Sequence, residues 1–114
     1  MSLSIEKFLD VVVARDGSDL HLCVDRPTTI RVNGRLRSLD VPPLQPDDTI
    51  ALMKSITSEK NQQELNTVGG CDFGFSYKGK ARFRISVFKQ KGNVILALRL
   101  IPNRLLTFEQ IGLP

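Results

Sequence analysis

Tryptophan is absent from this 114-residue chain, and tyrosine and histidine occur once each, as Tyr77 and His21. A lone histidine leaves no second imidazole for a His-based dyad, and without tryptophan no cofactor box stands out. Cys23 and Cys71 are the only cysteines and lie far apart, which excludes a disulfide framework and a CxxC metal or redox motif. Both are expected to behave as small hydrophobes in a reduced chain. No apolar run approaches the roughly 20 residues that span a bilayer. The densest early cluster, Val11-Val12-Val13, is closed off by Asp10 and Arg15. Glu6 and Asp10 near the N-terminus, with no small-residue cleavage site, leave no secretory signal visible. The expectation is a cytoplasmic chain. The catalytic strings GxxxxGK[ST], HExxH and GxSxG are missing, and so are internal repeats and low-complexity tracts.

What is present fits one globular domain: 41% hydrophobic and 25% charged residues, with length for a single core. Charge is distributed unevenly. Residues 1–75 hold eight Lys/Arg against eleven Asp/Glu, whereas residues 76–114 hold eight Lys/Arg and only Glu109. The late cations Lys78, Lys80, Arg82, Arg84, Lys89, Lys91, Arg99 and Arg104 all fall in an acid-free stretch, 78–104. Such a segment suits phosphate, nucleic acid or an acidic protein surface, although a solvated cationic face is the ordinary alternative.

Ile5, Phe8, Leu9 and Val12 recur at helical spacing and predict a helix over about 4–15, broken by Gly17-Ser18. Alternation predicts a strand over 19–24, with Leu20, Leu22 and Val24 on one face and Asp19, His21 and Cys23 on the other. Asn33-Gly34 between two alternating runs (28–32 and 35–39) is a strong hairpin signal. After the stiff Val41-Pro42-Pro43-Leu44 connector, Asp47 or Asp48 is expected to cap a helix with Ile50, Met53 and Ile56 one turn apart. These two carboxylates read as helix-start residues, not as a catalytic pair. A shorter helix is expected from Ser58 to about Leu65. Strands at 71–77, 81–89 and 94–101 follow, with Lys78-Gly79 as a turn and Pro102 ending the last. Thr107 with Gln110 resembles a capping box. The fold expected is α+β: about six mainly antiparallel strands, with the N-terminal helix and an inserted helical pair on one face.

In the 81–101 hairpin, a Gln90–Asn93 loop pairs Lys89 with Val94 and hence Arg84 with Arg99, the register that keeps the large aliphatics on one side. Like charges directly opposite are mutually destabilising. A fold that keeps such a pair usually has an anion to place between them, and the guanidinium fork suits phosphate. His21, on the same face as Asp19, could be imagined as an acid/base, but a lone strand histidine is more often a hydrogen-bonded structural residue.

Several stretches carry a family resemblance. Gly17-Ser18-Asp19-Leu20-His21-Leu22, Pro27 and Ile30-Arg31-Val32-Asn33-Gly34 resemble the opening signature of the pilus-retraction (PilT-type) ATPases of type IV pili, within the type II/IV secretion ATPase superfamily. Asp72-Phe73 with Ala81-Arg82-Phe83-Arg84-Ile85-Ser86-Val87-Phe88 resembles that family's second signature. Leu98-Arg99-Leu100-Ile101-Pro102 with Leu106–Pro114 resembles the stretch leading into its nucleotide-binding domain. The match runs in order along essentially the whole chain, with departures at Cys23, Asp25 and Thr28 on the early strands. The resemblance implies a PAS-like N-terminal domain over 1–104 and, over 105–114, the start of a hinge to a RecA-like ATPase domain. It further implies a cytoplasmic homohexameric motor of twitching motility and secretion, peripheral at the inner membrane. Its partners would be the RecA-like domains of its own and neighbouring subunits and an inner-membrane pilus platform protein. By motif position Arg84 and Arg99, with Arg82 a weaker candidate, would reach the nucleotide phosphates. Leu106, Thr107, Phe108 and Ile111 would line the hinge near adenine. ATP and Mg²⁺ would belong to the full-length protein. The fragment alone would bind no cofactor or metal, and without a Walker A loop it would show no activity.

One alternative is a stand-alone nucleic-acid-binding module using the basic 78–104 hairpin, with Phe83, Tyr77 and Phe88 among the cations. Only Phe88 shares a face with Arg82 and Arg84, and Tyr77 would have to join it from the neighbouring strand. The other alternative is a sensory PAS-like domain holding a small molecule. For Arg82, Arg84 and Arg99 the plain alternative is a solvated strand surface, or ion pairs with acids of residues 1–75.

Overall fold

A computed structural model describes residues 4–79 and 81–101. Helix α1 (Ile5–Ala14) leads into β1 (Asp19–Leu22), β2 (Thr29–Val32) and β3 (Arg35–Ser38). Helices α2 (Pro46–Ile56) and α3 (Glu59–Val68) follow, then β4 (Gly70–Tyr77), β5 (Ala81–Gln90) and β6 (Asn93–Ile101). The strands form one antiparallel sheet in the order β3-β2-β1-β6-β5-β4. The architecture is α+β, with the helices on one face.

The alternation expected from sequence puts Leu20 and Leu22 of β1, Phe83, Ile85 and Val87 of β5, and Val94, Leu96 and Leu98 of β6 on the helix side. There they join Ile5, Phe8, Leu9 and Val12 of α1 in a single core. Every strand pairing keeps a constant register with no bulge. The β2–β3 and β5–β6 hairpins close through Asn33-Gly34 and Lys91-Gly92, both left-handed, as two-residue type I′ turns require, whereas Tyr77 pairs with Ala81, so the β4–β5 loop spans positions 78–80 and begins with left-handed Lys78 and Gly79. The last loop is therefore Lys91-Gly92 alone, because Gln90 and Asn93 pair, yet Lys89 still faces Val94 and Arg84 still faces Arg99.

Some local expectations are corrected. The α2 N-cap is Gln45, not Asp47 or Asp48, because Pro46 takes the first helical position. Asp48 accepts the Gln45 backbone N–H at 2.8 Å. The buried stripe of α2 is Thr49, Leu52 and Met53, so Ile50 faces outward. β1 ends at Leu22, and Val24 makes an isolated bridge with Leu44. Helix α3 begins after Ser58 as expected, with the Ser58 hydroxyl accepting the Asn61 backbone N–H at 3.2 Å. It ends on left-handed Gly69. Pro102, the Thr107/Gln110 box, Lys80 and Arg104 lie outside the described residues.

Tyr77 fastens α1 to the far edge of the sheet. Its buried ring packs edge-on to Phe83, and its hydroxyl meets the Asp10 carboxylate at 2.6 Å and the Glu6 carbonyl at 3.2 Å. The Tyr77 hydroxyl bond, helped by Lys78, holds the Asp10 carboxyl below its ordinary value of 3.8. A carboxyl lowered on folding contributes stability above its unfolded pKa, and this is lost as pH falls through the folded value. Asp10→Asn should therefore flatten the acid limb of the thermal-stability profile from about pH 4 downward, read by unfolding temperature against pH. Gly17 admits no side chain: a Cβ there would lie 2.9 Å from Ile30 Cδ1 and 3.2 Å from the Arg31 carbonyl oxygen. Gly17→Ala should cost about 1–3 kcal/mol of stability, measured by denaturant unfolding, because Ile30 is fully buried and has nowhere to move.

Candidate anion site on the open face of the sheet

The helices leave one face of the sheet open, and strand pairing fixes which side chains meet there. One row crosses the central strands as Arg31 (β2), Asp19 (β1), Arg99 (β6) and Arg84 (β5), each directly opposite the next. Asp19 is the only acid in this row. Its carboxylate accepts the Arg99 Nε–H at 3.2 Å, the Ser18 hydroxyl at 2.9 Å, and lies 3.6 Å from Arg31 Nε. Its side chain is only 16% exposed, whereas that of Arg99 is 75% exposed. Arg84 has no hydrogen-bond or ion-pair partner among the described residues.

The neighbouring row supplies a low floor. Ser86 and Ala97 pair across β5 and β6, and His21 stands opposite Ala97. Together with Asp19, Leu98 and the two arginines they line an open depression of about 300 Å³. Small side chains below two long cationic ones make a shallow cradle, and Ser86 is held by donating its hydroxyl to Asp72. A guanidinium has two hydrogen-bonding edges. Asp19 engages the Nε of Arg99, which leaves the terminal Nη edge as the one a phosphate would meet.

Of the residues singled out by sequence, Arg84 and Arg99 are thus brought together. Arg82 stands on the same face but opposite Ile101, outside the depression. Leu106, Thr107, Phe108 and Ile111 lie outside the described residues. The plain alternative of internal ion pairing holds for Arg99, through Asp19. Sequence alternation places Asp19 on the polar face, but the Asp19–Arg99 contact bridges residues 80 positions apart and has no local signal. Tyr77 cannot join a base-stacking platform, since it is buried on the helix side. Lys78 is 3.4 Å from Asp10, and Lys89 donates to Asn66. Phe83 is buried too, so only Phe88 remains beside the cations of the open face. Cys71 is buried, which pushes its thiol pKa up, as suits a packing residue, while Cys23 is half-buried. Among the described residues no cluster of His, Cys, Asp and Glu fits a metal ion, and no helix is long and apolar enough to cross a membrane.

No protein-family model matches the chain. The type IV pilus retraction ATPase PilT of Pseudomonas aeruginosa is 33% identical over 111 residues, covering 97% of this chain and 32% of PilT. The type IV pilus ATPase PilU of the same organism is 32% identical over 112 residues, covering 98% of this chain and 29% of PilU. A crystal structure of the pilus retraction motor PilT with bound ADP superposes with a TM-score of 0.85 at 38% identity, covering 99% of this chain and 33% of that one. The Legionella pneumophila ATPase DotB shares the fold, with a TM-score of 0.75 at 19% identity over 90% of this chain and 30% of its own. The chain therefore spans about a third of the length of the relatives it matches.

The charge row makes an asymmetric prediction. Asp19→Asn leaves Arg31 and Arg99 without their shared anion and should lower the unfolding temperature. Arg84→Gln removes a like-charge neighbour and should change stability by less than about 0.5 kcal/mol. Denaturant titration of the two variants reads the difference.

Proposed function

Because the chain is homologous, over nearly its whole length, to the N-terminal region of the PilT-type pilus ATPases, we propose that it is the N-terminal domain of a hexameric motor in which Arg84 and Arg99 meet the phosphates of ATP. The nucleotide is held chiefly by a RecA-like domain beyond a hinge that starts near residue 105. That domain supplies the phosphate loop and the Mg²⁺ ligands, since no GxxxxGK[ST] occurs in these 114 residues. Leu106, Thr107, Phe108 and Ile111 belong to the hinge on the adenine side. The assembled motor is cytoplasmic, docks on a platform protein at the inner membrane and powers pilus retraction.

The observation that carries this reading is the cross-strand pair itself. Two guanidinium groups face each other on the open side of the sheet, and one of them lacks a counter-ion among the described residues. At a surface with high effective dielectric their repulsion is small, on the order of 1 kcal/mol. A polyphosphate placed between them replaces that repulsion with two charge-assisted contacts.

The work of the domain follows from where those contacts are made. Arg84 and Arg99 close on the terminal phosphates, so the bound state favours one arrangement of this domain against its neighbour. Loss of the γ-phosphate removes that preference, and the domain swings back. The arginines also stabilise charge on the phosphoryl group being transferred. Asp19 keeps Arg99 upright by its Nε while leaving the Nη edge for the phosphate. A crystallised relative with bound ADP supports the placement of a nucleotide in this kind of assembly.

Arg84→Ala and Arg99→Ala in the full-length protein should each lower the ATP turnover rate by about 10²–10³-fold. Hexamers should persist, as read by light scattering after size exclusion. Undiminished turnover in both variants would remove the arginines from the mechanism.

A further inference from the structure

The two edges of the sheet are built differently. Edge strand β3 is four residues long, carries Arg35 and Arg37, and is followed by Pro42-Pro43, which are ordinary protections against strand addition. Edge strand β4 runs for eight residues, with no proline, lysine or arginine and no bulge. Its one charge, Asp72, is turned inward to accept the Ser86 hydroxyl on β5.

The backbone of β4 also points the right way. The Lys89 amide donates to the Gly69 carbonyl at 3.0 Å. From there the antiparallel alternation directs Cys71, Phe73, Phe75 and Tyr77 toward β5. The N–H and C=O groups of Asp72, Gly74 and Ser76 therefore face away from the sheet.

We propose that this edge is a self-association surface, on which a second copy of the chain pairs its own β4 antiparallel about a two-fold axis at Gly74. The strand is self-complementary in that register. Gly74 meets Gly74 at the axis, and a Cβ built there touches nothing within 4 Å, so no side chain obstructs the approach. Asp72 lies opposite Ser76 of the second copy, a hydrogen-bonding pair without like charges. On the helix side the half-buried Phe73 and Phe75 face their counterparts and gain a cross-strand aromatic contact. Centring the axis on Asp72 would set two carboxylates face to face, and centring it on Ser76 would run into the Lys78-Gly79 turn.

The pairing also tolerates the arginine row. Arg84 of each copy stands one strand in from its Gly74, so the two lie three strand spacings apart, about 14 Å. That exceeds the Debye length of about 8 Å at physiological salt. The result is an isologous dimer with one continuous twelve-stranded sheet. The inference is independent of any role of the chain in ATP hydrolysis.

Sedimentation velocity of the 114-residue chain from micromolar to millimolar concentration should show a monomer–dimer equilibrium. Gly74→Pro removes only an outward N–H, which an edge strand tolerates, and should weaken the dimer at least about tenfold with an unchanged unfolding temperature. Should that variant misfold, Gly74→Lys blocks the same edge without a backbone constraint. Under mild oxidation Gly74→Cys should cross-link to itself, with the 74–74 peptide identified by mass spectrometry, because directly opposed residues meet disulfide geometry. Ser76→Cys, facing Asp72, should not. A wild-type chain that stays monomeric throughout, a folded position-74 variant that dimerises as wild type does, or equal cross-linking at 74 and 76 would overturn the proposal.

Discussion

The pairing of β1 with β6 at the centre of the sheet is the constraint on which the rest of the structure depends. It joins residues 19–22 to residues 96–99, close to the two ends of the described chain. On the helix side the same pairing sets Leu20 against Leu98 and Leu22 against Leu96, all buried. On the open side it sets Asp19 against Arg99. A slip of one residue would carry the leucines to the open face and the charged row into the core. The hydrophobic core therefore fixes the electrostatics: the apolar requirement on one face decides which charges meet on the other.

This coupling explains how two arginines come to face each other without disrupting the fold. Their side chains stand on the face opposite the three described helices, where water screens them, and the burial of Phe83, Ile85, Leu96 and Leu98 beneath holds the strands in register. Asp19 offsets part of the local positive charge and orients Arg99, and Arg84 is left without a counter-ion among the described residues. Small residues at Ser86 and Ala97 keep the floor low enough for a ligand to reach both guanidinium groups.

Much of this was legible in the residues. The N-terminal helix, the six strands, the turns at Asn33-Gly34 and Lys78-Gly79 and the Arg84–Arg99 register all follow from period, turn chemistry and the need to keep aliphatics on one side. The failures were local competitions. Pro46 displaced the cap from Asp47 and Asp48, and a one-residue rotation of α2 exchanged Ile50 for Thr49 and Leu52 on the buried stripe. The first is local, since proline suits the first helical position; the second depends on how α2 sits against the sheet, which its weak amphipathic pattern does not fix. The inward position of Tyr77 depends on α1 instead: a phenol reads as surface or core until its partner, Asp10, is known.

Sequence alone determined the parity of β1, β5 and β6, since side chains alternate strictly and an apolar face is written into each of those runs; β3 carries no such face, and its Leu36 stands exposed opposite Arg31. It determined the Asn33-Gly34 hairpin from turn chemistry, and the Arg84–Arg99 pairing from the need to keep the large aliphatics on one side. Only the tertiary structure decided that β1 lies beside β6, that Asp19 consequently sits between Arg31 and Arg99, and that β3 and β4 form the two edges of the described sheet. Those are contacts between distant segments. They are chosen by the total apolar area buried when the chain closes on itself, and no local pattern encodes that quantity.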